Sequence, residues 1–438
     1  MNSRTIKVWY QIHKCTSLVC AVFVLLLCLT GLPLIFETEE TASNTGIQKM
    51  AILPADTPPV SLDTIAAISY KIYPGHSIQS IRFADDEPLV YVQMTAVDAR
   101  RGHWLTFDNR TAQMLEEDEP SNQRGMTFMD LMRGLHCNLF AGQSGEFLLG
   151  FMCLLFLGAL ASGVILYGPF MKNQAFGKVR VGPPRRVWLD WHKMLGIIAL
   201  VWAVVVSLTG ALLVVSGPLQ KSWEKTIYNQ SLVADQNQPQ SEKTTSVQQA
   251  ADRVQNALPD WKVFMIEYPS VMSGSPRHYL IWVKGTTDFT SYLSMPILIE
   301  TVTGELTEAP WYLKALGIAR PLHLNNYNTL PLKILWALLD IIAIGMLVSG
   351  IYAWLLKHRK HHARTVNLPE RQHVSTTASH QSPHQIWSIP IILGALTLFA
   401  LVVPLLGPGI WQWLSAVALA ILLAVICYWR YAHQNAGK

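Results

Sequence analysis

Residues 187–215 read VWLDWHKMLGIIALVWAVVVSLTGALLVV, and residues 8–36 read VWYQIHKCTSLVCAVFVLLLCLTGLPLIF. Laid over each other at an offset of 179, Val8-Trp9 meets Val187-Trp188, His13-Lys14 meets His192-Lys193, and Leu29-Thr30-Gly31 meets Leu208-Thr209-Gly210. A second register, offset by 187, brings Arg133-x-Leu135-His136 onto Arg320-x-Leu322-His323, Gly158 onto Gly345, and Ser162-Gly163 onto Ser349-Gly350. Apolar residues align by chance inside any two greasy segments. His, Arg and Lys in register do not, so the chain reads as an internal duplication.

Both quoted stretches are long enough to cross a bilayer, which needs roughly 20 apolar residues in helical form. Six segments qualify: Leu18–Phe36, Phe147–Phe170, Leu195–Val215, Ile334–Leu356, Ser388–Leu406 and Trp411–Trp429. Composition agrees, because half of the 438 residues are hydrophobic and only 14% are charged, against roughly 25% in soluble domains. A disordered chain, a disulfide-stapled miniature and an ordinary cytosolic enzyme are excluded. The first segment lacks a small-residue cleavage site before Glu37, so it reads as a permanent anchor. Each half then runs span, loop domain, span, the two halves being parallel repeats about an axis along the membrane normal. The last two spans have no counterpart and form an appended hairpin.

Lys and Arg flank the spans on one side: Arg4, Lys7 and Lys14, then Lys172 through Arg186, then Lys357 through Arg364, then Arg430 and Lys438. That side, with both termini, is predicted to be cytoplasmic. The formal charge of +5 hides this sorting. The inner segments carry 16 Lys and Arg against only Asp190 and Glu370, the first outer loop 8 against 16 acids, and the second 10 of each. The long loops, 37–146 and 216–333, therefore lie outside. In each, a helical stretch (Leu62–Ile72; Ser246–Ala257) precedes alternating strand-like runs, Leu89–Met94 with Trp104–Phe107, and Tyr279–Val283 with Ile297–Val302. Residues 171–194 form an inner link and 357–387 a His- and Arg-rich inner linker. None of the six Cys suggests a disulfide framework, and no C-x-x-C-H for covalent haem occurs.

The duplication puts four histidines at span ends, His13 and His192 inside, His136 and His323 outside. Packed as a four-helix core, they face each other in two pairs, the arrangement a six-coordinate b-type haem requires. The matched glycines, Gly31 with Gly210 and Gly163 with Gly350, permit close approach of a flat macrocycle or a helix. Arg133 and Arg320, three residues before the outer histidines, are propionate candidates; inside, Lys14, Lys193, Arg185 and Arg186 compete for that role. A lone interfacial His is ordinarily an amphipathic boundary residue; four in two matched pairs are not. Two His per site without a shared carboxylate make a poor cage for a non-haem metal. Asp340 lies inside the fourth span, where an acid is costly and often functional, but Cys153 occupies its matching position. His358, His361, His362, His373, His380 and His384 read as a solvated tract, and His103 and His278 as ordinary fold residues.

These residues resemble the PepSY-associated transmembrane family, whose iron-regulated members include ferric-siderophore reductases. The resemblance, over roughly residues 5–360, rests on the His-Lys opening of spans one and three, the Leu-His before spans two and four, and the two loop domains. It implies two b haems, one on His13 and His192 and one on His136 and His323, PepSY folds in the periplasm, and a bacterial inner membrane. It further implies electron flow outward from a quinol or a cytoplasmic reductase to a ferric siderophore or other Fe(III) chelate. No G-x-G-x-x-G follows a strand, so no nicotinamide or flavin domain is evident. Two other functions stand beside a haem-dependent ferric reductase. One is a haem-b subunit serving another periplasmic acceptor; the other is a non-redox membrane protein whose PepSY-like domains bind or regulate a partner. Membrane lipid is expected as a partner and nucleic acid is not.

Overall fold

The computed structural model describes residues 2–37, 53–54, 56–85, 87–96, 102–118, 126–235, 244–270, 275–287, 290–324, 329–362, 381–407 and 409–435, without the side chains of 118, 234–235, 358–362, 426–427 and 429–435. Its chain divides into a helical unit (Met1–Phe36, Phe128–Val214, Ala319–Lys438) and an α+β unit (Glu37–Thr127, Val215–Ile318).

The helical unit is built from α1 (Ser3–Leu34), α3 (Phe128–Cys137), α4 (Gly142–Met171), the first part of α5 (Pro184–Asp235), α8 (Ala319–Leu324), α9 (Leu330–His362), α10 (Pro383–Val402) and α11 (Ile410–Asn435). Five of these, α1, α4, α5, α9 and α10, are long and apolar enough to cross a membrane, and α11 adds a shorter apolar stretch, Ile410–Val425. Their outward faces are greasy, with Val22, Phe151, Leu154, Ile341 and Ile391 exposed. Large exposed apolar side chains around a long apolar helix are what a lipid-facing surface requires. Inward, Cys20, Phe156, Ile198, Trp202, Trp336, Leu339 and Leu393 share one core. Helix α10 starts at a capping box on Ser382 with Pro383 in its first turn, so the linker between α9 and α10 is shorter than 357–387. His373 and His380 lie outside the described residues.

The α+β unit is one eight-stranded antiparallel sheet, not two separate domains. Its strands are β1 (His76–Phe83), β2 (Leu89–Ala96), β3 (His103–Asp108), β4 (Met114–Asp118), β5 (Trp261–Glu267), β6 (His278–Gly285), β7 (Ser294–Glu300) and β8 (Leu306–Glu308). Their order is β4-β3-β2-β1-β5-β6-β7-β8, a palindrome about the β1–β5 pair. There Ile81 lies opposite Ile266, Ser80 opposite Glu267 and Arg82 opposite Met265. β1 carries a bulge between Ile78 and Ser80, and β5 one between Val263 and Met265. One sheet face buries Ile81, Val92, Leu105, Phe107, Ile266, Ile281 and Ile297 under the amphipathic helices α2 (Leu62–Ile72) and α6 (Val247–Ala257). Joining the halves saves two exposed sheet edges, which would otherwise present unpaired backbone groups.

The third span ends differently from expectation. Helix α5 does not stop near Val215 but continues to Asp235. Beyond the apolar run, Trp223 and Ile227 fall four residues apart on one helical face and pack with Leu280, Leu298 and Leu313 of α7 (Trp311–Leu316). That packing keeps a polar sequence helical.

Candidate functional site

The helical unit brings all four predicted histidines together in the predicted pairs. The His13 and His192 rings lie 6.2 Å apart between centroids, tilted by 59°. The His136 and His323 rings are likewise 6.2 Å apart, tilted by 53°. His13 sits on α1 and His192 on α5; His136 ends α3 and His323 ends α8.

Each ring is held by one backbone carbonyl at Nδ1. His13 Nδ1 is 2.9 Å from Ala159 O and His192 Nδ1 2.8 Å from Met346 O. His136 Nδ1 is 3.0 Å from Leu27 O and His323 Nδ1 3.0 Å from Val206 O. A carbonyl only accepts, so each Nδ1 carries the proton and each Nε2 keeps its lone pair. Such a carbonyl partner fixes the tautomer and orientation of a metal-binding imidazole. The partners recur at the sequence offsets, Ala159 with Met346 and Leu27 with Val206. So do hydroxyls, since Thr30 reaches His136 Nδ1 at 3.1 Å and Thr209 reaches His323 Nδ1 at 3.3 Å. Backbone carbonyls were invisible to residue-type reasoning, although the matched Leu-Thr-Gly and Ser-Gly motifs marked where they lie.

The glycines act at these rings. A Cβ on Gly31 would stand 2.9 Å from His136 Cε1, and one on Gly210 2.9 Å from His323 Cε1. On Gly350 it would meet His192 Cε1 and Nδ1 at 2.9 Å, and on Gly163 His13 Cε1 at 3.3 Å. Hydrogen side chains here let each imidazole lie flat against the opposing helix. Outside the spans, burial pushes the His136 and His323 imidazoles below their usual range, His323 to about 4. Both are neutral at pH 7, the state a ligand needs.

The donor set fits a bis-histidine haem. Two neutral imidazoles per pair, with Nδ1 engaged by a backbone carbonyl and Nε2 left as the lone-pair donor, are the ligand chemistry such a haem takes. The propionate candidates are less uniform. Arg133 and Arg320 lie one helical turn before their histidines, both exposed, and Arg133 approaches Asp130 at 3.9 Å. Lys193 is engaged with buried Asp190 at 3.0 Å and with Gln174, while Arg180 grips the same carboxylate at 2.8 Å and 2.9 Å. Arg185 differs: its Nε is buried without a hydrogen-bond partner among the described residues, and it lies seven residues before His192 on the same face of α5. Asp340 is 3% exposed; the Cys28 thiol hydrogen-bonds its carboxylate, and its Oδ2 has no hydrogen-bond partner among the described residues.

A family model described as the PepSY-associated TM region matches residues 10–357, well over half of the chain. No curated protein matches it.

Proposed function

We propose that this chain, which belongs to the PepSY-associated TM family, is a membrane electron conduit with two b haems, reducing Fe(III), siderophore-bound above all, on the outer side of a bacterial inner membrane. The observation that carries this reading is the identical treatment of both histidine pairs. In each, two rings 6.2 Å apart present lone pairs on Nε2 while a helix carbonyl holds Nδ1. Structural histidines have no reason to repeat this arrangement at both ends of one helical core.

Haem bound there would supply one-electron chemistry between its ferric and ferrous states. The chain's own part is to bind, orient and insulate. Buried neutral imidazoles and the apolar wall of Phe156, Ile198 and Leu339 exclude water from the core. Arg185 on the inner side, with Arg133 and Arg320 beside the outer pair, supplies cations for propionates. The sorted Lys and Arg of the sequence place the His13–His192 pair inside and the His136–His323 pair outside. With six crossings, both termini are cytoplasmic and the sheet-bearing loops periplasmic. The electron donor is then a quinol or a cytoplasmic reductase.

The test is spectroscopic. Purified full-length protein should show a Soret band and two low-spin b-type centres. His136→Ala and His323→Ala should each remove the same centre, and His13→Ala and His192→Ala the other. Anaerobic mixing of dithionite-reduced protein with a ferric siderophore should reoxidise it. A chain without a Soret band after reconstitution would sink the electron-transfer reading; haems without reoxidation would sink the ferric substrate.

A further inference from the structure

The α+β unit holds a second constellation, remote in sequence from the four histidines. Helix α2 ends at Tyr73, and Gly75, at φ +81°, turns the chain back into β1 at His76. Strand β3 begins at His103, and Glu117 stands on edge strand β4 opposite Leu105, whose neighbour on the same face is His103. These elements bring three donor atoms to one point. Tyr73 Oη lies 3.1 Å from His103 Nδ1 and in hydrogen-bond contact with Glu117 Oε1, and His103 Nδ1 is 3.6 Å from that oxygen. The Tyr73 and His103 rings stack at 4.4 Å. His76 flanks them, its ring 5.0 Å from Tyr73 and 6.0 Å from His103, with a buried Nδ1 lacking a partner among the described residues.

The fold does not demand this cluster. By strand register, the positions matching Tyr73, His76, His103 and Glu117 across the β1–β5 pair are Leu258, Trp261, Met295 and Glu308. The parallel is plain in sequence, Tyr73-Pro74-Gly75-His76 against Leu258-Pro259-Asp260-Trp261. Those four matching residues line a cleft of about 310 Å³. The same architectural corner is thus an open cleft in one half, mostly apolar apart from the Glu308–Lys314 ion pair, and filled with nitrogen and oxygen donors in the other.

We propose that Tyr73, His103 and Glu117 form a binding site for Fe(III). No three His, Cys, Asp or Glu side chains converge among the described residues; the triad exists only because a phenol is its third member. Donor atoms on one face of a coordination sphere with bonds of about 2.1 Å lie about 3 Å apart, which the 3.1 Å from Tyr73 Oη to His103 Nδ1 matches, while Glu117 would shift to open its contact with the phenol. Carboxylate and phenolate oxygens are hard ligands and select a hard ion over a soft one. Binding forms bonds from iron to the phenolate oxygen, to His103 Nδ1 and to the Glu117 carboxylate, displaces three water or chelator donor atoms from the ion, and releases the Tyr73 phenol proton to water in place of its hydrogen bonds to Glu117 and His103. No electron moves. His103 is 23% and Glu117 39% exposed, so a ferric complex can reach the site from solvent. The metal site stands on these donors alone; its service as the docking place of the ferric substrate rests on the proposed reductase reading.

Full-length protein is incubated with one equivalent of ⁵⁷Fe(III)-nitrilotriacetate, desalted and read by Mössbauer spectroscopy, while the Soret band of the same sample reports haem. Wild type should retain about one non-haem high-spin ferric ion per chain with a tyrosinate charge-transfer band. Tyr73→Phe should abolish that band, and Tyr73→Phe and Glu117→Gln should each weaken retention by about 100-fold. Haem should be unchanged in both. Wild type retaining no iron, or the Tyr73→Phe protein retaining it as tightly with the same spectrum, would overturn the site and leave Tyr73, His103 and Glu117 as a hydrogen-bond network. Should Tyr73→Phe misfold, the exposed-edge variant Glu117→Gln decides. Loss of the Soret band in wild type strikes the haem reading and leaves this one standing.

Discussion

Replacing Gly350 by Ala tests the ligand geometry with one methyl group. The new Cβ would stand 2.9 Å from both Cε1 and Nδ1 of His192, where ordinary contact begins at 3.4 Å. The ring must therefore retreat by about 0.5 Å, which is the tolerance within which a functional constellation has to be held. Gly350 and Met346 lie on the same helix, so retreat also stretches the 2.8 Å bond from His192 Nδ1 to Met346 O. An added methyl in a packed core costs about 1–3 kcal/mol, hence roughly 5- to 150-fold in affinity for whatever the ring binds. Gly163→Ala faces the partner ring of the same pair, but its Cβ meets His13 Cε1 at 3.3 Å and needs almost no retreat. Gly158→Ala, with nothing within 4 Å of the new methyl, is the blank. Haem titration of apo-protein, followed in the visible and by low-temperature EPR, should rank the losses Gly350 first, Gly163 well behind and Gly158 at zero. The inner low-spin centre alone should be affected. Equal affinities for the Gly350→Ala and Gly158→Ala proteins, or loss of the outer centre instead, would refute the reasoning.

Asp190→Asn should destabilise the inner end of the helical unit by about 3 kcal/mol, because it leaves Arg180 and Lys193 without the buried carboxylate both contact; thermal denaturation in detergent measures this. Glu300 gives a pH signature to the sheet. Burial raises its carboxyl, but the Thr303 and Val302 N–H groups and Arg277 outweigh it and hold the group below its usual 4.5. A depressed folded value means stability that is present above about pH 4.5 and lost as pH falls through the folded value, so Glu300→Gln should flatten the acid limb of a circular-dichroism melt. Ile266→Ala, at the centre of the sheet and fully buried, should cost about 2–5 kcal/mol. Paired with Ile81→Ala it should cost less than the sum, because the two residues face each other across β1 and β5.

The spans and the histidine pairs were legible because a membrane imposes length, apolarity and a charge bias that a sequence displays directly. The sheet was half legible. The inner strands β2, β3, β6 and β7 announced themselves by β-branched and aromatic residues. β1 and β5 did not, since the bulges at Ile78/Ser80 and Val263/Met265 shift the alternation by one residue partway along each strand. β4 and β8 are short edge strands rich in acid, which suits an edge and disguises a strand. That two loop domains share one sheet is a long-range pairing between residues 80–82 and 265–267, which no local pattern encodes. Helix α5 beyond Val215 lost its hydrophobic signal at the point where its stability began to come from Trp223 on the sheet. The surroundings of His103 were equally hidden, because Tyr73 and Glu117 are its neighbours only in space.

Matched ligation also constrains where direction can come from. Each pair takes one histidine from each half, so the duplication equalises the two ligands within a pair, Ala159 O matching Met346 O in one and Leu27 O matching Val206 O in the other. Residues without a counterpart in the other half make the two sides of a pair unequal. Near the inner pair these are Asp190, which faces Gln11 in the offset register, and Arg180, which binds that carboxylate. Within the core it is Asp340, matched by Cys153 and tied to Cys28. Buried charge acts on a nearby redox centre far more strongly than exposed charge, because little solvent screens it. Duplication therefore supplies the two ligands of each pair, and under the proposed conduit reading an outward bias is set by how the surroundings of one pair differ from those of the other.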